Sequence, residues 1–235
     1  HNAVLEHEHH RTQRLAIHSA AQGLGAVIGE RLATLGRQIK RGAGLGAIHF
    51  AVEPTIEKGQ TEWLDWIGGA FEINWSVNPH WTADFTVIPD HPASRGVKPF
   101  GSNDEWYFNM RFRDNMEGVT PLLSAIAPAE TMKRGEGPHA GNPDVKKLVL
   151  EDKKPQVVAW AVERKDGGRG FGFTGGHYHA GWSNDSQRTL VLNAIVWTAK
   201  AEVPAAGVAT KFSEEELKAN LDKKTPRKAP APKKK

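Results

Sequence analysis

The segment Gly170-Phe171-Gly172-Phe173-Thr174-Gly175-Gly176-His177-Tyr178-His179 constrains this chain more than any other. It reads as a strand end that runs into a tight turn, because Gly175 and Gly176 let the backbone bend sharply and approach a ligand closely. His177 and His179, two apart, point the same way if the backbone stays extended. Asn184-Asp185-Ser186 then caps a helix whose apolar stripe is Leu190, Val191, Ala194, Ile195 and Thr198. A strand, a glycine turn bearing imidazoles and a helix is the order in which open α/β sheets build their sites.

Other segments supply the rest of such a sheet. Glu30 to Arg41 carries Leu32, Leu35, Gly36 and Ile39 at helical spacing, with Gly42 as the C-cap. Leu45 to Phe50 is a short apolar run suited to a strand buried on both faces, and it delivers His49 and Glu53 to its carboxyl end. Trp63 to Phe71 has helical spacing, and Trp81 to Ile88 alternates like a strand with one wet face. Val157 to Glu163 and Gly170 to Thr174 flank Lys165-Asp166-Gly167-Gly168-Arg169, a hairpin signal. Residues 131–144 read as a surface loop, His91-Pro92 as a turn, and Ser213-Glu214-Glu215-Glu216 as a capping box.

The net charge of +4 suggests a polyanion partner until it is divided along the chain. From Ala201 onward nine Lys/Arg face five Asp/Glu, which leaves 22 of each sign and a neutral remainder. The basicity therefore belongs to residues 223–235, a Lys/Pro/Ala tail with nothing to bury, so nucleic acid is a disfavoured partner. The absence of cysteine removes disulfides, thiolate zinc sites and cysteine nucleophiles, and leaves the redox compartment open. No apolar run is long enough to span a bilayer, and the chain opens at His1 without a signal peptide, so localisation is open.

From Glu30 to about Val208 the chain resembles the trehalose-utilisation (ThuA-like) family of the class I glutamine amidotransferase-like superfamily. The residues that carry the resemblance are Gly44-Leu45-Gly46-Ala47-Ile48-His49-Phe50-Ala51-Val52-Glu53, Asp65-Trp66-Ile67-Gly68-Gly69, Asn78-Pro79-His80-Trp81, Asp90-His91-Pro92-Ala93-Ser94-Arg95-Gly96-Val97, Asn103-Asp104-Glu105-Trp106-Tyr107, the glycine/histidine segment, and Leu192-Asn193-Ala194-Ile195-Val196-Trp197-Thr198-Ala199. The resemblance implies an α/β three-layer sandwich with a mostly parallel, flavodoxin-like sheet. It places His49 on the turn where amidotransferase relatives carry their cysteine, so glutamine hydrolysis by that route is excluded. Glu6-His7-Glu8-His9-His10 resembles a histidine-bearing loop of the family, although the strand expected before it does not appear. The expected layout is a ThuA-like domain over residues 1–208, a capped helix over 209–222 and the tail over 223–235.

His49, Glu53, Glu105, His177 and His179, with His7 or His9, are imidazoles and carboxylates suited to a divalent metal, zinc favoured, or to acid/base work on a sugar. In this scheme His9, His49, His177 and His179 are the metal candidates, and His49, Glu53, Glu105 and His177 the catalytic ones. The competing accounts are a core histidine for His49 and an Arg-paired loop carboxylate for Glu105. Eight tryptophans are many for 235 residues, and indole faces suit sugar rings as well as cores. Trp66 and Trp197 read as core; Trp75, Trp81, Trp106 and Trp182, beside polar or glycine neighbours, read as substrate contacts with His80 and Tyr178. The expected function is action on a sugar or keto-sugar, by metal-assisted hydrolysis, with a non-catalytic sugar-binding module as the alternative. The expected partner is a small carbohydrate, and an exposed Trp-rich surface would equally serve as a homo-oligomer contact.

Overall fold

The computed structural model describes residues 31–55, 57–211 and 213–219. The N-terminal histidine cluster with His9 and the basic tail lie outside the described residues. The first helix, α1 (31–40), buries Ile39 and ends at Gly42, whose φ of 81° only glycine adopts freely. It leads into β1 (Leu45–Ile48), which ends abruptly because His49 takes φ 53° and the chain coils into a 3-10 turn over His49–Val52. The helix read from Trp63 to Phe71 is α2 (Gln60–Trp66); it stops five residues before expected, because Gly68 at φ 82° turns the chain into β2 (Gly69–Ala70).

The strand expected at Trp81 is β3 (Trp81–Phe85), antiparallel to β4 (Phe100–Asp104), with Trp81, Ala83 and Phe85 buried. Val87, read as part of the same alternation, lies past the strand end and is exposed. The short strand β5 (Arg111–Phe112) pairs with β2. Then come β6 (Val119–Ala125), the one-turn helix α3 (Pro143–Lys146), β7 (Gln156–Glu163), β8 (Arg169–Phe173), α4 (Asp185–Thr198) and α5 (Glu214–Lys218). Ser213 and Glu216 form the reciprocal capping box expected at α5. No helix among the described residues is long and apolar enough to cross a membrane.

The central sheet runs β1-β8-β7-β6 and is mixed. Only β1 and β8 are parallel, Leu45 opposite Gly170 through Ile48 opposite Phe173; β8–β7 and β7–β6 are antiparallel. The mostly parallel sheet expected from the resemblance is therefore not what the described strands form. The local reason is the hairpin over residues 164–168, closed by Arg164 N–H to the Gly168 carbonyl at 2.8 Å, since a connection this short joins only antiparallel neighbours.

Both faces of the sheet are covered. On one, Phe171 and Phe173 pack with Leu190, Val191, Ala194 and Trp197 of α4. Ile195 is exposed, so Trp197 takes the place in the stripe that Ile195 was expected to fill. On the other face Ile39, Trp66, Ile67 and Trp160 form a second cluster. Here the glycines of β8 serve the core: a Cβ on Gly172 would sit 2.1 Å from the Trp160 ring, and one on Gly170 would sit 2.4 Å from the Trp66 carbonyl oxygen. The parallel pair β1 and β8 thus ends, at His49 and Thr174, on one edge of a sheet held rigid from both sides.

Candidate functional site

The loop after β8 is anchored by one carboxylate. Asp104, the last residue of β4, is fully buried. Its Oδ2 accepts the Gly176 N–H at 2.8 Å, and its Oδ1 accepts the N–H groups of Glu105, His177 and Tyr178 at 2.8, 2.9 and 3.2 Å. Gly175 lies so close to the buried Trp106 that a Cβ would fall 2.4 Å from its ring, and Gly176 turns the chain with φ 104°. These restraints bring His177 to the edge of the sheet, opposite His49.

His49 is oriented from both sides. The Thr174 carbonyl, which can only accept, lies 2.9 Å from its Nδ1, so Nδ1 carries the hydrogen and Nε2 of the neutral ring presents a lone pair. Around that lone pair stand Tyr107 Oη at 3.2 Å, His177 Nδ1 at 3.2 Å and Glu105 Oε2 at 3.4 Å. His177 Nδ1 lies 2.9 Å from the same Glu105 oxygen. The other oxygen, Glu105 Oε1, accepts from Asn78 Nδ2 at 3.1 Å and lies 4.0 Å from His80 Nε2, while Tyr178 Oη meets His80 Nδ1 at 2.9 Å. Glu105 and His49 are largely buried and His177 is half-exposed, so the cluster opens to solvent on the His177 side. Burial, reinforced by the carboxylates of Glu105 and Glu53, pushes the Tyr107 phenol far above its usual pKa. It therefore stays protonated and donates to His49.

Three donor atoms of residue types that bind metals thus face one point. Ligands about 2.0–2.2 Å from a tetrahedral ion stand about 3.3–3.6 Å apart, and the observed separations of 2.9, 3.2 and 3.4 Å are close to that spacing. The His49 ring also has the second contact typical of a ligand, its far N–H donated to a backbone carbonyl.

The cluster forms one wall of a cavity of about 490 Å³ that is lined also by Phe50, Glu53, Asn78, Tyr107, Arg134 and His139. Glu53 does not reach the cluster; its Oε1 lies 2.7 Å from His139 Nε2. A larger hollow, about 630 Å³, lies beyond the opposite end of the sheet beside Arg111, Arg113 and Arg164. Arg111 is paired with Glu72 there and holds that carboxyl below its usual pKa, and Arg113 and Arg164 donate to backbone carbonyls, so these cations are structural.

The family model for trehalose utilisation (ThuA) matches residues 7–198. The chain belongs to the trehalose-utilisation family. A crystal structure of a ThuA-like protein from Bacteroides uniformis is similar at 17% identity with a TM-score of 0.48, over 69% of this chain and 61% of that one. No curated protein matches. The match includes the whole His49, Glu105 and His177 cluster, so the cluster is part of the trehalose-utilisation domain and not an appendage to it.

Within this ThuA domain the other expected site residues scatter. His179 is turned away: the chain coils into a 3-10 turn over His179–Ser183, and His179 Nε2 lies 2.6 Å from the Leu217 carbonyl of α5. It is not among the converging donors, and the extended backbone that would have aligned it with His177 does not form. Trp81 and Trp106 are core residues, not substrate contacts; each is buried and donates its indole N–H to a backbone carbonyl, of Trp106 and Ser102 respectively. Trp75 is half-buried under the Arg111 guanidinium, 3.9 Å from its ring centre, and is not among the residues lining the cavity. Trp182 is half-buried beside Phe173 and would lie 3.2 Å from a Cβ on Gly176, so it backs the loop. His80 and Tyr178 stack on each other at the open edge, ring centres 5.4 Å apart. His91 is the turn residue expected, its Nδ1 accepting the Ala93 N–H. Sequence reasoning missed Asn78, Tyr107, Arg134 and His139. Asn78 and Tyr107 stand inside motifs that had been singled out for their neighbours, a usable signal; Arg134 and His139 lie in a stretch read only as loop.

Proposed function

We propose that this chain acts hydrolytically on a sugar or keto-sugar derivative in the cavity beside His177, with a divalent cation, zinc favoured, held by His49, Glu105 and His177. The observation that carries the reading is the meeting of His49 Nε2, His177 Nδ1 and Glu105 Oε2 within 3.4 Å, with the His49 lone pair aimed at the others. Two imidazoles and a carboxylate are the donor set of catalytic zinc sites, which keep a further position open. When bound, the ion would polarise a carbonyl or an oxygen leaving group.

This chain's residues supply the rest. The Thr174 carbonyl holds His49 through its Nδ1–H, and Asn78 holds Glu105. Because Glu105 belongs to the donor set, it is not free to serve as base. Phe50, 68% exposed where it lines the cavity, and Tyr178 at the open edge offer aromatic faces to the C–H faces of a sugar ring. The family's connection with trehalose utilisation supports the carbohydrate class.

The test is turnover of a nitrophenyl keto-glucoside by zinc-loaded and chelator-treated protein. Nitrophenolate release that requires the metal is expected. Calorimetric binding of the sugar without product on long incubation would instead make the chain a binding module and remove the hydrolytic reading.

A further inference from the structure

We infer that His139 is the proton-transferring residue of this site and that Glu53 positions it. The inference rests on the hydrolytic reading above, and it concerns a residue on a loop that composition alone marks as surface.

The loop is built to a definite place. The Pro138 carbonyl accepts the Asn74 N–H at 2.9 Å, and the His139 carbonyl accepts both the Asn78 N–H at 3.2 Å and Arg134 Nη2 at 3.0 Å. Gly137 and Gly141 close the loop at its neck through a 3.2 Å backbone bond. The His139 ring stacks on the buried Phe71 with centres 5.2 Å apart and planes 26° apart, so its orientation is set by packing.

The pairing then sets its chemistry. Glu53, whose side chain is 11% exposed, accepts His139 Nε2–H at 2.7 Å. The neutral imidazole is thereby held as the Nε2–H tautomer, and Nδ1, which has no hydrogen-bond partner among the described residues, is left as the basic atom. A carboxylate that holds one imidazole nitrogen so that the other can move a proton is the arrangement of hydrolytic triads. The ring itself meets Glu53 and Phe71, while Arg134 of the same loop donates to the His139 backbone carbonyl and to Asn78 Oδ1. His139 and Glu53 line the same cavity as His49, Glu105 and His177, and a substrate held in that cavity would meet both groups.

The step balances without another reactant. The oxygen of a water forms a bond to the electrophilic carbon while one of its protons passes to His139 Nδ1. The bond from that carbon to the leaving oxygen breaks, its electron pair stays on that oxygen, and His139 returns the proton to it.

Three proteins decide the matter: wild type, His139→Ala, and His139→Gln, which can still donate to Glu53 but has no basic nitrogen. The inference predicts that both variants keep one zinc per chain by elemental analysis and lose about 100-fold or more in kcat on the keto-glucoside, with KM little changed. Added imidazole should restore part of the rate to His139→Ala and none to His139→Gln. Independently of activity, nitrogen-15 NMR of the wild type should show His139 as the Nε2–H tautomer. A rate retained by His139→Gln, or an Nδ1–H tautomer, overturns the inference while the metal-assisted reading stands. A zinc-loaded wild type without turnover overturns the hydrolytic reading and this role with it.

Discussion

An Asp104→Ala protein should be less stable by about 3–5 kcal/mol and should lose the metal affinity of the site. The carboxylate is fully buried and accepts four backbone N–H groups, from Glu105, Gly176, His177 and Tyr178. Each buried donor left without a partner costs about 1–3 kcal/mol, and bonds to a charged acceptor are the stronger kind. Water reaching the vacated space offsets part of the total, which brings four losses down to the stated range. The second effect is geometric. Two of the four bonds fix the backbone of Glu105 and His177, so without them two of the three donors no longer share a reference point. Asp104→Asn, which keeps one acceptor oxygen and turns an NH₂ toward N–H groups, should fall between wild type and alanine. Urea unfolding and calorimetric zinc titration on the same samples check both effects. An unfolding free energy within about 0.5 kcal/mol of wild type would remove Asp104 as the anchor of the loop.

The largest effect on ligand binding belongs to His177→Ala, with zinc affinity expected to fall by more than about 100-fold at nearly unchanged stability. Losing a contact behind the ligands costs about 10–100-fold, and His177 is one of the three ligands proposed. Its side chain is 43% exposed and fills no core position, so the fold should tolerate the change. His179→Ala is the control. Two residues away and also a histidine, it bonds the Leu217 carbonyl, and its loss should leave zinc affinity as it was. Equal losses from the two variants, read by competition with a chromogenic chelator, would show that exposed histidines bind zinc without a built site.

The contrast between those histidines shows what could be read from sequence. His49 was legible at the carboxyl end of an apolar run, Glu105 in a polar cluster and His177 after two glycines, and strand ends gather on one edge of a sheet. His179 was misplaced by assuming an extended backbone through residues 177–179, whereas the chain turns at Gly176 and coils over 179–183. Trp81 was assigned to the substrate because its neighbours are polar. Its alternation with Ala83 and Phe85 already put it on the dry side of β3, and burial wins over neighbour chemistry there. The sheet itself carried a conflict: the glycine hairpin over 165–169 requires β7 and β8 to be antiparallel, which a mostly parallel sheet excludes. Asp104 and His139 were not legible, because their partners lie 72 and 86 residues away and nothing local encodes such a meeting.

The central claim is that His49, Glu105 and His177 form a preorganised cation site. Anomalous diffraction at the zinc absorption edge from crystals grown with zinc tests it most directly. The account predicts one strong peak about 2.0–2.2 Å from His49 Nε2, His177 Nδ1 and Glu105 Oε2. Density that places zinc elsewhere, or leaves these three atoms hydrogen-bonded to one another with no ion among them, would contradict it.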